Sequence, residues 1–263
     1  MSRSSLKSVC RLIDSITKEI PVEQKFIEDL ERSIELSDKK NAKVPSKTYK
    51  PSSMNCLRQM YYQVKGEEPE ESKLDYAFIG ICNSGTDIHI RVQDAIADMK
   101  NNNINCEYID VANYVQSRNL EDIEIISKQG NETKLFNKKL NMSFLCDGII
   151  KYNDHYYILE IKSESGMKWN QRSGVDYKHH NQAISYSTSL NLDDVIFVYV
   201  SRDLLFMKAY LFHVTDEMRN NLIERIKLCD DYLIQNEVPL KEDNLPKGTC
   251  NYCNYKTLCQ RNS

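Results

Sequence analysis

Two groups of residues in this chain have the types and spacing to do chemistry. The first lies in residues 142–162, MSFLCDGIIKYNDHYYILEIK. This stretch reads as two strands of alternating pattern meeting at a tight turn, Asn153-Asp154. With those two residues as the loop, Asp147 faces Glu160 across the pair. Period two puts Lys162 on the face of both carboxylates, while Leu159 and Ile161 point the other way into a core. Two carboxylates opposed across a hairpin repel each other and weaken the sheet. A divalent cation between them removes the conflict, because hard cations take clustered carboxylate oxygens. The arrangement points to a metal-dependent hydrolytic site; the competing reading is a surface hairpin with charges on its solvated face.

The second group is made of cysteines. Cys250, Cys253 and Cys259 stand as C-x-x-C followed by five residues and a third cysteine. A two-residue spacer lets two sulfurs converge on one centre, so a metal or cluster is expected, with zinc and iron–sulfur both open. A fourth ligand is needed, and Cys56 is the choice. Cys10, Cys82, Cys106, Cys146 and Cys229 are isolated and read as small core residues. Nine cysteines is an odd count. In a reducing compartment, where disulfides are rare, it favours ligation.

Both groups carry a family resemblance. Asp147, then Glu160-Ile161-Lys162 after a hydrophobic run, resembles the D…(D/E)xK signature of the PD-(D/E)xK nucleases. The lone Cys56 in a C-L-R-x-x-x-Y context, with three cysteines behind the core, resembles the RecB-like nucleases that carry a [4Fe–4S] cluster. The AddB nuclease domain and the CRISPR-associated type-four Cas proteins are among these. Gln182 and Tyr186 match that family's Q-x-x-x-Y motif, and His89, in G-T-D-I-H, matches its histidine ahead of the core. V-I-F-V-Y-V-S-R-D is similar to the strand after Q-x-x-x-Y. The resemblance covers residues 52–259 and leaves the N-terminal fifty without a counterpart.

The resemblance implies roles. His89, Asp147, Glu160 and the backbone carbonyl of Ile161 would bind Mg²⁺ or Mn²⁺, which lowers the pKa of a bound water. Lys162 would orient or activate that water or hold the scissile phosphate. Gln182 and Tyr186 would position the DNA strand, with Tyr186 or Trp169 available for base stacking. A [4Fe–4S] cluster on Cys56, Cys250, Cys253 and Cys259 would be structural rather than redox. The implied activity is a metal-dependent DNA exonuclease working at DNA ends in recombination, repair or replication, with a phage-encoded enzyme among the contexts it covers. Two alternatives stand beside it: a CRISPR adaptation nuclease trimming spacer precursors, and a non-catalytic DNA-end-binding protein on the same fold. The expected partner is DNA, single-stranded or the end of a duplex, with a homo-oligomer or a separate helicase or recombination protein, since no P-loop pattern occurs.

The elements that must position these residues follow from periodicity. Residues 5–19 and 22–37 read as amphipathic helices, the second opened by Pro21. A polar segment follows with Lys39, Lys40, Lys43, Lys47 and Lys50, either a solvated linker or a basic strip along a phosphate backbone. A short helix runs from a cap at Ser52 or Ser53 to Gly66, and a longer helical stretch spans 73–99 with a break near Asn83-Ser84-Gly85. Strands CEYIDV, DIEIIS and the hairpin come next, and Glu107 on the first is a possible extra acidic ligand. Lys178 to Leu190 is a helix, led by His179 and His180, which are solvated or contact phosphate. DDVIFVYVS and MKAYLFHV are strands, and Asp216 to Glu237 is a helix with acids in its first turn.

This order predicts an α/β protein: a central mixed β-sheet flanked by helices, a restriction-endonuclease-like core, with an N-terminal helical region and a C-terminal Cys-rich segment. The expected divisions are 1–50, 51–100 with Cys56 and His89, the nuclease core 101–214, and the helix and cluster tail 215–263. A chain of 263 residues with 41% hydrophobic and 28% charged residues can bury a substantial core. No apolar run suggests a membrane span and the N-terminus lacks a secretory pattern, so a cytoplasmic location without membrane partners is expected. A net charge of −3 gives no global attraction to nucleic acid. Any DNA contact must come from a local basic patch and bound metal.

Overall fold

The computed structural model describes residues 21–40, 47–70, 75–129, 132–245, 247–251 and 253–262. The expected helix over 5–19, Cys10 and Lys43 lie outside them. The chain divides into two compact units, Met1–Lys43 with Lys73–Ile81, and Val44–Ser72 with Cys82–Ser263. In the first unit, helix α1 (Val22–Lys40) leaves Phe26, Ile27 and Leu30 exposed.

The second unit opens with a 3-10 turn (Pro51–Ser53) and helix α2 (Leu57–Lys65). Cys56 is the N-cap of α2, and Gly66 closes it in the left-handed conformation, φ 84°, where a side chain would be strained. Helix α3 (Tyr76–Ala97) passes through Asn83-Ser84-Gly85 without the expected break. Intrahelical hydrogen bonds outweigh the weak propensities of three polar or small residues.

Strand β1 (Cys106–Ile109), helix α4 (Val111–Ser117), and strands β2 (Ile123–Gln129), β3 (Glu132–Asn137), β4 (Met142–Cys146), β5 (Gly148–Tyr152) and β6 (His155–Glu164) follow. Helices α5 (Gly166–Gln171) and α6 (Tyr177–Leu190) precede β7 (Asp194–Ser201) and β8 (Met207–His213). Helix α7 (Asp216–Gln235) and the short α8 (Lys256–Arg261) complete the described fold. Sequence reading missed α4, α5 and β3. The first two have cap signals in hindsight: Asp110 accepts from Asn113 N–H and Ser165 from Lys168 N–H.

The strands form two sheets rather than one. A five-stranded sheet has the order β1-β5-β6-β7-β8, and a three-stranded sheet the order β2-β3-β4. All pairings are antiparallel except β6–β7, whose crossover is made by α5 and α6. The α/β class with a mixed central sheet flanked by helices stands. The expected first hairpin arm, however, changes sheets: Met142–Cys146 belongs to the small sheet, Gly148–Tyr152 to the large one, and Asp147 is the residue between them. The hairpin register itself is as expected, from Gly148↔Leu159 to Tyr152↔His155. Asn153 and Asp154 both have positive φ, 48° and 66°, as a two-residue type I′ turn demands.

Two cores flank the large sheet. Ile149, Ile158, Phe197 and Tyr199 pack with Ala183 and Tyr186 of α6 and with Met54, Met60 and Tyr61. Ile150, Leu159, Ile161 and Val200 pack on Ile88 of α3. Alternation along β6 thus sends Leu159 and Ile161 toward α3, and Glu160 and Lys162 toward α6. Among the described residues, no helix is long and apolar enough to cross a membrane.

Candidate metal centre and thiol cluster

Asp147 owes its place to the change of sheet, which frees its backbone from regular pairing. Its carbonyl instead accepts from Gln93 Nε2 of α3 at 2.7 Å and from Tyr108 Oη of β1 at 2.5 Å. Its Oδ2 accepts the Ile161 N–H at 2.7 Å. In extended backbone the N–H and C=O of one residue point to the same edge, so the Ile161 carbonyl is turned to the Asp147 side as well. His89 reaches in from α3, with Nδ1 3.4 Å from Asp147 Oδ1. Glu132, which sequence reasoning did not select, begins β3 and puts Oε1 3.8 Å from the same nitrogen.

Glu160 is buried on the α6 face, where Lys162 Nζ makes an ion pair with its Oε1. Gln182 Nε2 donates to that oxygen at 2.7 Å, and Gln182 Oε1 accepts from Lys162 Nζ at 3.0 Å. Four residues on, one helical turn away, the Tyr186 hydroxyl lies 2.7 Å from Gln182 Nε2. Glu160, Lys162, Gln182 and Tyr186 therefore form one closed network. Glu160 Oε2 is buried with no hydrogen-bond partner.

The charges are in conflict without a cation. Burial, with Asp147 adding repulsion, pushes the Glu160 carboxyl up to about 7, against the pull of Lys162 and His89. Burial alone would depress His89, yet its contacts with Asp147 and Glu132 raise it to about 10. A buried carboxylate with an orphan oxygen beside a second carboxylate and a histidine suits a divalent cation. The ligand atoms that lie within 4.8 Å of one another are those of His89, Asp147 and Glu132, so of the expected set His89 and Asp147 are brought together while Glu160 stands beside that group and not in it.

Several expectations are corrected. Tyr186 is buried, its ring 5.3 Å from that of Phe144, and cannot stack a base. Trp169 is committed likewise: its Nε1 donates to the Tyr199 carbonyl at 3.0 Å, and Lys208 Nζ lies 4.2 Å from its ring centroid. His179 is not a solvated residue; its Nδ1 lies 2.9 Å from Tyr199 Oη, and its ring stacks on Phe197 and Tyr199. His180 packs on Phe212. Glu107 pairs with Lys100 at 3.1 Å. Cys82 is exposed, whereas Cys106, Cys146 and Cys229 are buried as expected.

Cys56, Cys250, Cys253 and Cys259 line one small cavity of about 70 Å³. Arg58, buried on α2, binds that end of the chain in place. It donates to the carbonyls of Pro239 at 2.7 Å, Cys259 at 3.0 Å and Asn262 at 3.1 Å, and NH1 also lies 3.4 Å from Cys259 Sγ. Glu242 accepts the Leu57 N–H at 2.6 Å and pairs with Arg225. Burial lifts the Cys56 thiol to about 11. Among the described residues, no three thiols lie within 4.8 Å of one another.

No family model matches the chain, and no curated protein matches it. Solved structures do: a chain described as the crystal structure of SSO0001 is similar over 90% of this chain and 98% of its own, at 15% identity and a TM-score of 0.46.

Proposed function

We propose that this chain is a divalent-metal-dependent deoxyribonuclease of the PD-(D/E)xK, RecB-like kind. It would hydrolyse phosphodiester bonds at DNA ends in a reducing, cytoplasmic compartment, with a structural [4Fe–4S] cluster on Cys56, Cys250, Cys253 and Cys259. The observation that carries the reading is the convergence of Glu160, Lys162 and Gln182 on one network with an unpartnered, buried carboxylate oxygen, with Asp147 held next to it through the Ile161 N–H.

When bound at His89, Asp147 and Glu160, Mg²⁺ or Mn²⁺ supplies a water of lowered pKa and offsets charge on the phosphate. The protein's own groups do the rest. Gln182 holds Lys162 Nζ against Glu160, so the ammonium is fixed rather than mobile on its four-carbon stem. A fixed cation there can orient the attacking water or neutralise a non-bridging phosphate oxygen. Tyr186 acts through Gln182 and is a positioning residue.

The test is cleavage of 5′- and 3′-labelled single- and double-stranded DNA with Mg²⁺, Mn²⁺ or EDTA, for the wild type and Lys162→Ala. The reading requires metal-dependent degradation from ends that Lys162→Ala abolishes. Metal-independent cleavage, or full activity in Lys162→Ala, overturns it.

A further inference from the structure

Glu132 lies outside the D…ExK spacing and belongs to the smaller sheet, opposite Gln129 in the β2–β3 pair. Even so, its carboxylate and that of Asp147 gather round a single nitrogen of His89, at 3.8 and 3.4 Å. The ligand atoms of His89, Glu132 and Asp147 all lie within 4.8 Å of one another. A cation with ligands at about 2.1–2.2 Å places adjacent ligands about 3 Å apart and opposed ones about 4.3 Å apart, and the two separations from His89 Nδ1, 3.4 and 3.8 Å, fall between those limits. Asp147 Oδ2 is engaged by the Ile161 N–H, which leaves Oδ1 as the oxygen turned toward His89 and Glu132. Independently, the adjacent Glu160, 2% exposed, keeps Oε2 buried and unpartnered.

We infer that Glu132 is a direct ligand of a divalent cation, in a seat it forms with His89 and Asp147 Oδ1. The small sheet thereby supplies a third carboxylate to a centre otherwise built on the large sheet and α3. Asp147, at the point where the chain passes between the sheets, is the ligand common to both. The imidazole tilts the seat toward Mn²⁺ over Mg²⁺, since nitrogen ligands suit the transition metal better. Occupancy should also hold the start of β3 to the rest of the site.

The inference deepens the nuclease reading, but metal binding tests it without turnover. Mn²⁺ alone is titrated into the full-length chain by calorimetry and by the loss of its free-ion spin resonance signal. Glu132→Gln is expected to weaken binding by about tenfold or more, Glu132→Asp to recover part of it, and Glu124→Gln, on the exposed face of β2, to match wild type. Mn²⁺ should slow amide exchange in β3 of wild type but not of Glu132→Gln. Wild-type affinity in a folded Glu132→Gln overturns the inference, and so does loss of binding in Glu124→Gln to the same degree. Cleavage by the same preparations separates the two ideas. A wild type that binds Mn²⁺ through Glu132 yet leaves DNA intact sinks the nuclease reading only; one that cleaves while Glu132→Gln binds normally sinks this inference only.

Discussion

Gln182 is the residue on which the site's order turns. Its amide has a donor and an acceptor end, and both are in use: Nε2 toward Glu160 and Tyr186, Oε1 toward Lys162. No carboxylate could satisfy Glu160, and no lysine could satisfy Lys162, so the amide is dictated by chemistry. Lys162→Ala should reduce cleavage by about 100-fold or more. It also leaves the buried Glu160 without its cation, so the metal-free variant should melt below wild type and Mn²⁺ should close most of the gap. A scan of melting temperature with and without Mn²⁺, beside the cleavage assay, checks both statements.

His179 gives the protein a pH dependence of known sign. Asp176 N–H donates to Tyr199 Oη at 3.1 Å, and His179 Nδ1 lies 2.9 Å from the same hydroxyl, whose proton is available to a neutral imidazole. Burial, and then the charge of Lys162, lower its pKa to about 3. The unfolded chain binds a proton near pH 6.5. The stability from neutral His179 is therefore complete above about 6.5 and is lost as pH falls toward 3, with a slope of at most about 1.4 kcal/mol per pH unit. Glu160, raised to about 7, contributes with the opposite sign over the same interval, so the His179 contribution is read as the difference between the melting scans of wild type and His179→Gln, in which wild type loses ground as pH falls from 7 to 5. An unchanged slope in His179→Gln would contradict the assignment.

At the scale of elements, the junction of β4 and β5 decides where the first carboxylate sits. Gly148 is required there by close approach: a Cβ would meet Tyr108 Oη at 2.4 Å and its ring at 2.7 Å. Tyr108 in turn donates to the Asp147 carbonyl. Gly148→Ala should displace Tyr108, destabilise the fold by about 1–3 kcal/mol as overpacking does, and weaken Mn²⁺ binding more than a surface Gly→Ala change. Gly174, with nothing near its Cβ position, is the control. The measurements are denaturant melts and Mn²⁺ titration of both variants.

On the scale of the whole molecule, the thiol cavity ties helix α2, near the start of the second unit, to the end of the chain. Arg58, Glu242, and the contacts of Glu70 with Asn254 and Thr257 already draw these regions together. A cluster across Cys56 and the tail would close a loop over nearly all of the core, which in the chain-entropy picture is worth on the order of 5 kcal/mol. Cys253→Ser should abolish visible absorbance and lower the melting temperature well beyond Cys82→Ser, whose thiol is exposed. A colourless, equally stable wild type would remove the cluster from the account.

The sequence by itself determined what is local. The Asn153-Asp154 turn, the register that sets Asp147 against Glu160, the split of β6 into core and site faces, and the one-turn spacing of Gln182 and Tyr186 all follow from periods of two and 3.6 residues. What only the tertiary structure decided is non-local. The chain changes sheets at a single residue, so pattern alone merged two sheets into one. Glu132 was invisible because it belongs to another strand pair and meets His89 only through folding. Tyr186 is buried and Trp169 and His179 half-buried, against the accessible reading, because burial depends on what packs over a helix and not on the helix's own sequence. Alternation fixes which way a side chain points, and only long-range packing fixes what it meets there.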